Sequence, residues 1–230
     1  MNEFVLHSSS SLSELPDLPF SHVVQDCPQS AGMFRFLDNK LAAYDGQRWV
    51  HLDFSQTLQS LRASPGGISS EPLARALGLI KSKPTRVIDA SCGSGKDALH
   101  VWSWGQSVCA YERNPMVYLL LWDALRRHEI PGLTLNFGSA SEVLASENDV
   151  IMFDPMFAHT DKKKSLARKE MQLFKNLVGP DLDQEQTLAA LLGTGASRVV
   201  IKRPSKLKPN PAPNHSFEGK TIRFDVYLAK

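Results

Sequence analysis

Val87-Ile88-Asp89-Ala90-Ser91-Cys92-Gly93-Ser94-Gly95-Lys96-Asp97-Ala98 is an apolar strand that runs into a glycine turn and then into a helix. Glycine puts no Cβ between backbone and ligand, so the turn after Asp89 can come close to a bound molecule. The helix behind it points its first amides at the same space. A nucleotide-like cofactor is cradled in this way. The spacing is G-x-G without the third glycine of the dinucleotide fingerprint, which argues against a nicotinamide dinucleotide. Cys92 has no partnered histidine in the sequence and sits among small residues, so it reads as packing rather than as a nucleophile.

Outward from this turn the chain alternates strand and helix. Strands are expected at 86–90, 107–112, 133–137, 149–154 and 198–203, and helical spacing covers Asp97–Ser103, Pro115–Arg127 and Leu166–Val178. Such alternation favours a parallel sheet covered on both faces. The tail Thr221-Ile222-Arg223-Phe224-Asp225-Val226-Tyr227-Leu228 alternates strictly and reads as a last strand. Residues 1–60 do not belong to this pattern. Met33–Leu37 and Arg48–Phe54 flank Tyr44-Asp45-Gly46 and are read as a hairpin, and Ser64-Pro65-Gly66-Gly67 breaks the chain before a helix from about Glu71 to Leu79. A soft boundary therefore falls near residue 62, between an N-terminal β-containing extension (1–61) and the main domain (62–230). Lys206–Pro213, with three prolines, is a loop.

The second strand of the alternating part ends in Tyr111-Glu112-Arg113-Asn114-Pro115. An acid at that tip suits a carboxylate that accepts both hydroxyls of a ribose. It also suits the start of a helix, which Pro115 opens; after a glycine turn at this distance the ribose role is favoured. Gly138-Ser139-Ala140 follows the third strand and is small enough for an adenine ring to lie flat. Asp97 is either a simple helix-start acid or a contact to the amino-acid portion of a donor.

Asp149-Val150-Ile151-Met152-Phe153-Asp154 delivers Asp154 to the carboxyl end of a strand, the functional edge of an open α/β sheet. Pro155 fixes the next backbone unit and Phe157 lies beyond it. An acid that orients N–H bonds beside a ring that stacks suits an aromatic amine, whose lone pair is delocalised and poorly nucleophilic. Together the two halves read as methyl transfer to a ring amine from an adenosine-containing donor. His159 reads as a structural loop residue. No cysteine sits near the acceptor motif, which disfavours methylation of a ring carbon.

With 230 residues and 42% hydrophobic content the chain is large enough for one domain with a sizeable core. No apolar run approaches the ~18 residues that would span a bilayer, and no basic, then apolar, leader opens the sequence. Cys27, Cys92 and Cys109 lack metal-ligand spacing, so a reduced, cytoplasmic setting without disulfides or a metal is expected. The net charge of +2 conceals an asymmetry. Residues 1–34 carry four acids and no Lys or Arg; residues 161–175 carry six basic side chains against two acids; 198–208 carry five and no acid. Lys162, Lys163, Lys164, Arg168 and Lys169 follow the acceptor motif directly, which favours a nucleic-acid substrate over a merely solvated lysine face.

On Asp89–Gly95, Glu112–Pro115 and Asp154–Phe157 the chain resembles the Rossmann-like S-adenosylmethionine methyltransferases. It is more closely similar to the bacterial enzymes that methylate a guanine amino group (guanine N2) in small-subunit (16S) ribosomal RNA. Lys169-Glu170-Met171, Leu177–Asp183, Val200–Pro204, Arg223–Tyr227, and Gly66-Gly67 with Leu73–Gly78 carry that closer likeness. The resemblance covers roughly residues 62–230. It implies a seven-stranded, mostly parallel sheet with an antiparallel last strand, and S-adenosylmethionine as cofactor, leaving S-adenosylhomocysteine. It implies donor contacts at Lys96, Asp97, Glu112, Arg113, Ser139, Ala140 and Asp154, with Asp89, Gly93 and Gly95 at the turn. Asp154 and Phe157 would hold the base, and Lys162–Lys164, Arg168, Lys169, Lys202 and Arg203 the phosphates of ribosomal RNA or the small subunit. Lys96 departs from a more usual arginine, Ile68 from a lysine, and Ser139-Ala140 from a serine pair. The acceptor motif also has Met156 where related amine methylases often place a second proline. The rival expectations are an amino-methyltransferase of DNA adenine or cytosine, and a non-catalytic RNA-binding assembly factor.

Overall fold

The computed structural model describes residues 3–7, 15, 21–25, 32–63, 68–157, 181–219 and 221–228. The predicted helix over Leu166–Val178 and the basic residues Lys162, Lys163, Lys164, Arg168 and Lys169 lie outside them, as do His159 and Gly66-Gly67.

A small sheet comes first in the chain. Its strands are β1 (Glu3–His7), β2 (Ser21–Gln25), β3 (Met33–Leu37), β4 (Lys40–Tyr44) and β5 (Trp49–Val50), in the order β2-β1-β3-β4-β5. The expected hairpin is displaced. β3 turns into β4 through Asp38 and Asn39, both with positive φ (49° and 62°). Asp and Asn tolerate that left-handed conformation, and two such residues match the right-handed twist of a tight hairpin. β5 then pairs with β4 rather than with β3.

The large sheet contains β6 (Val87–Asp89), β7 (Val108–Glu112), β8 (Leu133–Phe137), β9 (Val150–Phe153), β10 (Arg198–Pro204), β11 (His215–Glu218) and β12 (Ile222–Leu228), in the order β11-β12-β10-β9-β6-β7-β8. β8, β7, β6, β9 and β10 are parallel neighbours; β12 runs antiparallel to both β10 and β11. Every residue of β6 and β9 is buried, as expected of central strands covered on both faces. The helices are α1 (Ser55–Ala63), α2 (Pro72–Ala76), α3 (Lys96–Ser103), α4 (Pro115–Arg126) and α5 (Gln184–Leu192). Strand order reverses between β6 and β9, the place where an open α/β sheet leaves a crevice at its carboxyl edge.

The change of sheet near residue 62 is not a break in packing. One hydrophobic cluster joins Phe34, Leu41, Leu52 and Phe54 to Leu99, Leu121 and Val200. On α4 the fully buried Asp123 pairs with Arg126 (2.8 Å) and Arg127 (3.0 Å). Those guanidiniums in turn donate to the carbonyls of Asn39 and Leu52, in the extension. A buried acid of this kind is tolerable only because it is fully paired.

Gly95 shows what this packing does for the turn. Its φ is +74°, and a Cβ there would meet the Phe54 ring at 3.0 Å and Leu121 at 3.2 Å. Gly95→Ala therefore combines left-handed strain with overpacking and is expected to destabilise the fold by about 2 kcal/mol or more. The midpoint of urea unfolding checks this; an unchanged midpoint would mean that the turn is not held against the extension.

Candidate active site

Four adjacent strand ends deliver the site. Asp89 ends β6, Glu112 ends β7, Asp154 follows β9, and Lys202 lies near the end of β10. They line one cavity of about 1060 Å³, together with Gly93, Lys96, Asp97, Arg113, Ser139, Phe157 and others. A cavity at a switch point, of at least the usual ligand-site volume (roughly 300–1,000 Å³), is where a cofactor is expected.

The donor half is preorganised by the backbone. Gly93 donates its N–H to Glu112 Oε2 at 3.0 Å, and Asn114 donates to Oε1 at 2.8 Å. Each carboxylate oxygen keeps a second lone pair for a ligand hydroxyl. The helix start behind it is capped by Asn114 instead, whose side chain accepts from Met116 (3.0 Å) and Val117 (3.2 Å). Glu112 is thus turned into the cavity and away from the helix-charge role. It is 7% exposed, and burial pushes its carboxyl above the usual range. Asp89, 3% exposed, accepts from the Ser91 N–H at 3.1 Å. Burial raises its carboxyl well above normal, and Asp97, Asp154 and Glu112 push the same way.

The acceptor half is held from three sides. Asp154 donates its N–H to Ser91 Oγ at 2.7 Å. Lys202 Nζ donates to Asp154 Oδ2 at 2.8 Å and to Asp97 Oδ2 at 2.7 Å, so one ammonium ties the strand end to the first turn of α3. The Asp154 side chain keeps 45% of its surface exposed, and its carboxyl lies at about 6, the net of desolvation and Asp97, which push it up, and Lys202, which pulls it down. The Lys202 ammonium is held protonated by the two carboxylates against the opposing effect of burial. Met156 donates its N–H to Asp181 Oδ2 at 2.7 Å, and Phe157 faces the cavity.

Several sequence expectations change. Gly95 is a packing glycine and does not line the cavity. Ala140 is 1% exposed, with its side chain among Ile151 and Phe153; Ser139 does line the cavity. Arg203 is not turned outward to a phosphate. It is 6% exposed, 3.3 Å from the fully buried Asp225, and 5.8 Å over the Phe157 ring. Arg203 stands opposite Arg223 across β10 and β12, and Asp225 compensates that like-charge pair. Lys202 likewise points into the cavity, to Asp97 and Asp154. Arg113 lines the cavity, but its guanidinium is taken by Asp181 (2.5 Å) and Asp183 (2.5 and 2.9 Å). Sequence reasoning did not single out Ser91, Asp181 or Asp183 as functional. Among the described residues no group of His, Cys, Asp and Glu is arranged to hold a metal ion.

Residues 33–229 match the family described as "Putative SAM-dependent methyltransferase". The chain belongs to this family. A ribosomal RNA small subunit methyltransferase J from Thioalkalivibrio sulfidiphilus is 38% identical over 203 residues, covering 82% of this chain and 79% of the relative. Another from Aeromonas hydrophila is 36% identical over 219 residues, with 88% of each chain covered. The crystal structure of a SAM-dependent methyltransferase from Neisseria gonorrhoeae superposes with a TM-score of 0.69 at 25% identity, covering 98% of this chain and 95% of that one. The methyltransferase fold, with its antiparallel last strand, is thus confirmed, and S-adenosylmethionine is the cofactor. The cavity fits it. Glu112 keeps lone pairs for the ribose hydroxyls, and Asp89, Asp97 and Asp154 line the same cavity as acceptors for a ligand that carries both a sulfonium and an ammonium.

The Asp154 carboxyl carbon, followed by NMR in labelled protein, should titrate with a midpoint near pH 6. Because Lys202 lowers that value, Lys202→Met should move the midpoint upward. An unmoved or lowered midpoint would deny the ion pair.

Proposed function

We propose that the protein transfers the methyl group of S-adenosylmethionine to the exocyclic amino group of a guanine in small-subunit ribosomal RNA, in the cytoplasm. The observation that carries the reading is that Asp154 and Phe157 face the same cavity as Glu112 and Gly93. The relatives named ribosomal RNA small subunit methyltransferase J support the acceptor class, as does the basic run 162–169 in the sequence. No described helix is long and apolar enough to cross a membrane. Residues 62–230 form the catalytic unit in this reading, and the extension packs Phe54 against its Gly95 turn.

When bound, the cofactor supplies an electrophilic methyl carbon on a positively charged sulfur. Glu112 would accept the ribose hydroxyls, and the turn at Gly93 with the start of α3 would border the rest of the donor. Phe157 stacks on a guanine that has left its helix, at a cost of a few kcal/mol. Asp154 accepts an N–H of the amine, which aims the nitrogen lone pair at the methyl carbon. Lys202 occupies Oδ2, so the amine is assigned to Oδ1. The amine nitrogen would take the methyl as the methyl–sulfur bond breaks, its electron pair staying on sulfur in S-adenosylhomocysteine, and the Asp154 carboxylate is placed to receive the proton of the nitrogen made positive. Arg203, behind the Phe157 ring, steadies the stacking surface.

Transfer of labelled methyl to small ribosomal subunits, naked ribosomal RNA and DNA, followed by nucleoside analysis, tests this. The expected product is guanine methylated on its amino group; label only in DNA adenine or cytosine would overturn the acceptor. Asp154→Ala should lower transfer by about 10²-fold or more while RNA binding persists. Since the ionised carboxylate is the accepting form, wild-type activity should be lost as pH falls through about 6 and be present above it.

A further inference from the structure

Asp181 is the residue through which both halves of the cavity meet. Its carboxylate accepts the Met156 N–H on Oδ2 at 2.7 Å, and its own N–H donates to the Met156 carbonyl at 2.9 Å. It therefore grips Met156, which lies between Asp154 and Phe157, on both sides. Its other oxygen, Oδ1, receives Arg113 Nη2 at 2.5 Å. Arg113 follows Glu112 directly, and Asn114 and Gly93 hold Glu112 by their amides. Asp183 fixes the same guanidinium with both oxygens. These are long-range links, 68 residues from Asp181 to Arg113 and 25 to Met156, so no local turn accounts for them. Leu182, between the two aspartates, is 90% exposed and lines the cavity; the segment is held there by its ionic grip rather than by apolar burial.

We propose that Asp181 is a positioning residue that fixes the Asp154–Phe157 loop against the donor-side loop at Glu112–Asn114. It touches neither base nor donor in this role. It sets the distance between the two loops, and hence between amine and methyl carbon. Transfer of a methyl group depends on that alignment, and a misplacement of about 1 Å can cost on the order of 10²-fold in rate. The inference rests on the acceptor reading given above for Asp154 and Phe157.

Asp181→Ala removes both side-chain links. The expected result is a kcat lower by about 10²-fold, with affinity for S-adenosylhomocysteine and KM for the RNA changed far less. Asp181→Asn keeps an oxygen for the Met156 N–H but loses the ion pair to Arg113, so its kcat should fall less than that of Asp181→Ala and still lie well below the wild type. Asp181→Asn and Arg113→Gln remove one shared link, and their effects should be non-additive. A purely structural residue would lower the melting temperature and leave kcat per folded molecule at the wild-type value; that outcome, or strict additivity of the pair, overturns the proposal. Hydrogen exchange separates this from the acceptor reading. In Asp181→Ala the peptide over 154–157 should exchange faster while those over 87–89 and 108–112 do not. Exchange unchanged at 154–157 overturns the positioning role even if the wild type methylates RNA. Faster exchange there in a wild-type background that methylates no RNA overturns the acceptor reading instead.

Discussion

The whole site depends on how buried negative charge is managed at the carboxyl edge of the parallel sheet. Strand order brings Asp89, Glu112 and Asp154 to neighbouring ends, with Asp97 in the first turn of α3. Asp89 and Glu112 are buried and Asp97 and Asp154 partly exposed beside them, and carboxylates at such proximity repel one another and resist ionisation. Two devices offset this. Backbone amides hold Glu112 and Asp89, and Lys202 divides its ammonium between Asp97 and Asp154, while Arg113 is drawn aside by Asp181 and Asp183. Glu112 thereby stays held by amides alone, with lone pairs for a ligand.

The same arrangement explains which parts of the fold could be read from sequence. β6, β7, β8, β9 and β10 are apolar runs bounded by turn residues, and their observed limits lie within a residue or so of expectation. β4 was missed because Leu41-Ala42-Ala43 is buried without alternation and alanine has little preference for strands. β11 was missed because it is an edge strand, mostly exposed, with no buried face to impose a period. α1 and α5 bury only Leu58, and Leu188 with Leu191, so their helical signal is thin.

For the site, the residues that point along the chain toward a ligand were legible: the glycine turn, the acid ending β7, and the acid, proline and aromatic after β9. The residues that work by pairing across the sheet were not. Lys202 and Arg203 sit in a basic stretch of sequence, and charge composition does not distinguish a phosphate contact from an interior counter-ion. Only the inward register of β10 beside β9 and β12 makes that distinction. Asp181 and Asp183 belong to the run that carried the closest likeness to known enzymes, yet nothing local in that run points to Arg113, 68 and 70 residues away.

The N-terminal extension belongs to the same account. Its sequence is acidic at the start and stands outside the strand–helix alternation, which invites reading it as an accessory. The packing argues otherwise. Gly95 has its required conformation with Phe54 of the extension pressed against it, and Gly95 is the residue from which α3, with Lys96 and Asp97, begins. Asp97 then fixes Lys202, which fixes Asp154. A displacement of Phe54 would be passed along covalent and ionic links to the acceptor carboxylate. The anchors from Arg126 and Arg127 to Asn39 and Leu52 hold the extension from the opposite side, through α4. The family match accordingly begins at residue 33, within the small sheet and well before the glycine turn. In physical terms the packing behind the Gly95 turn starts there, and the change of sheet near residue 62 divides two patterns of strands rather than two independent supports for the site.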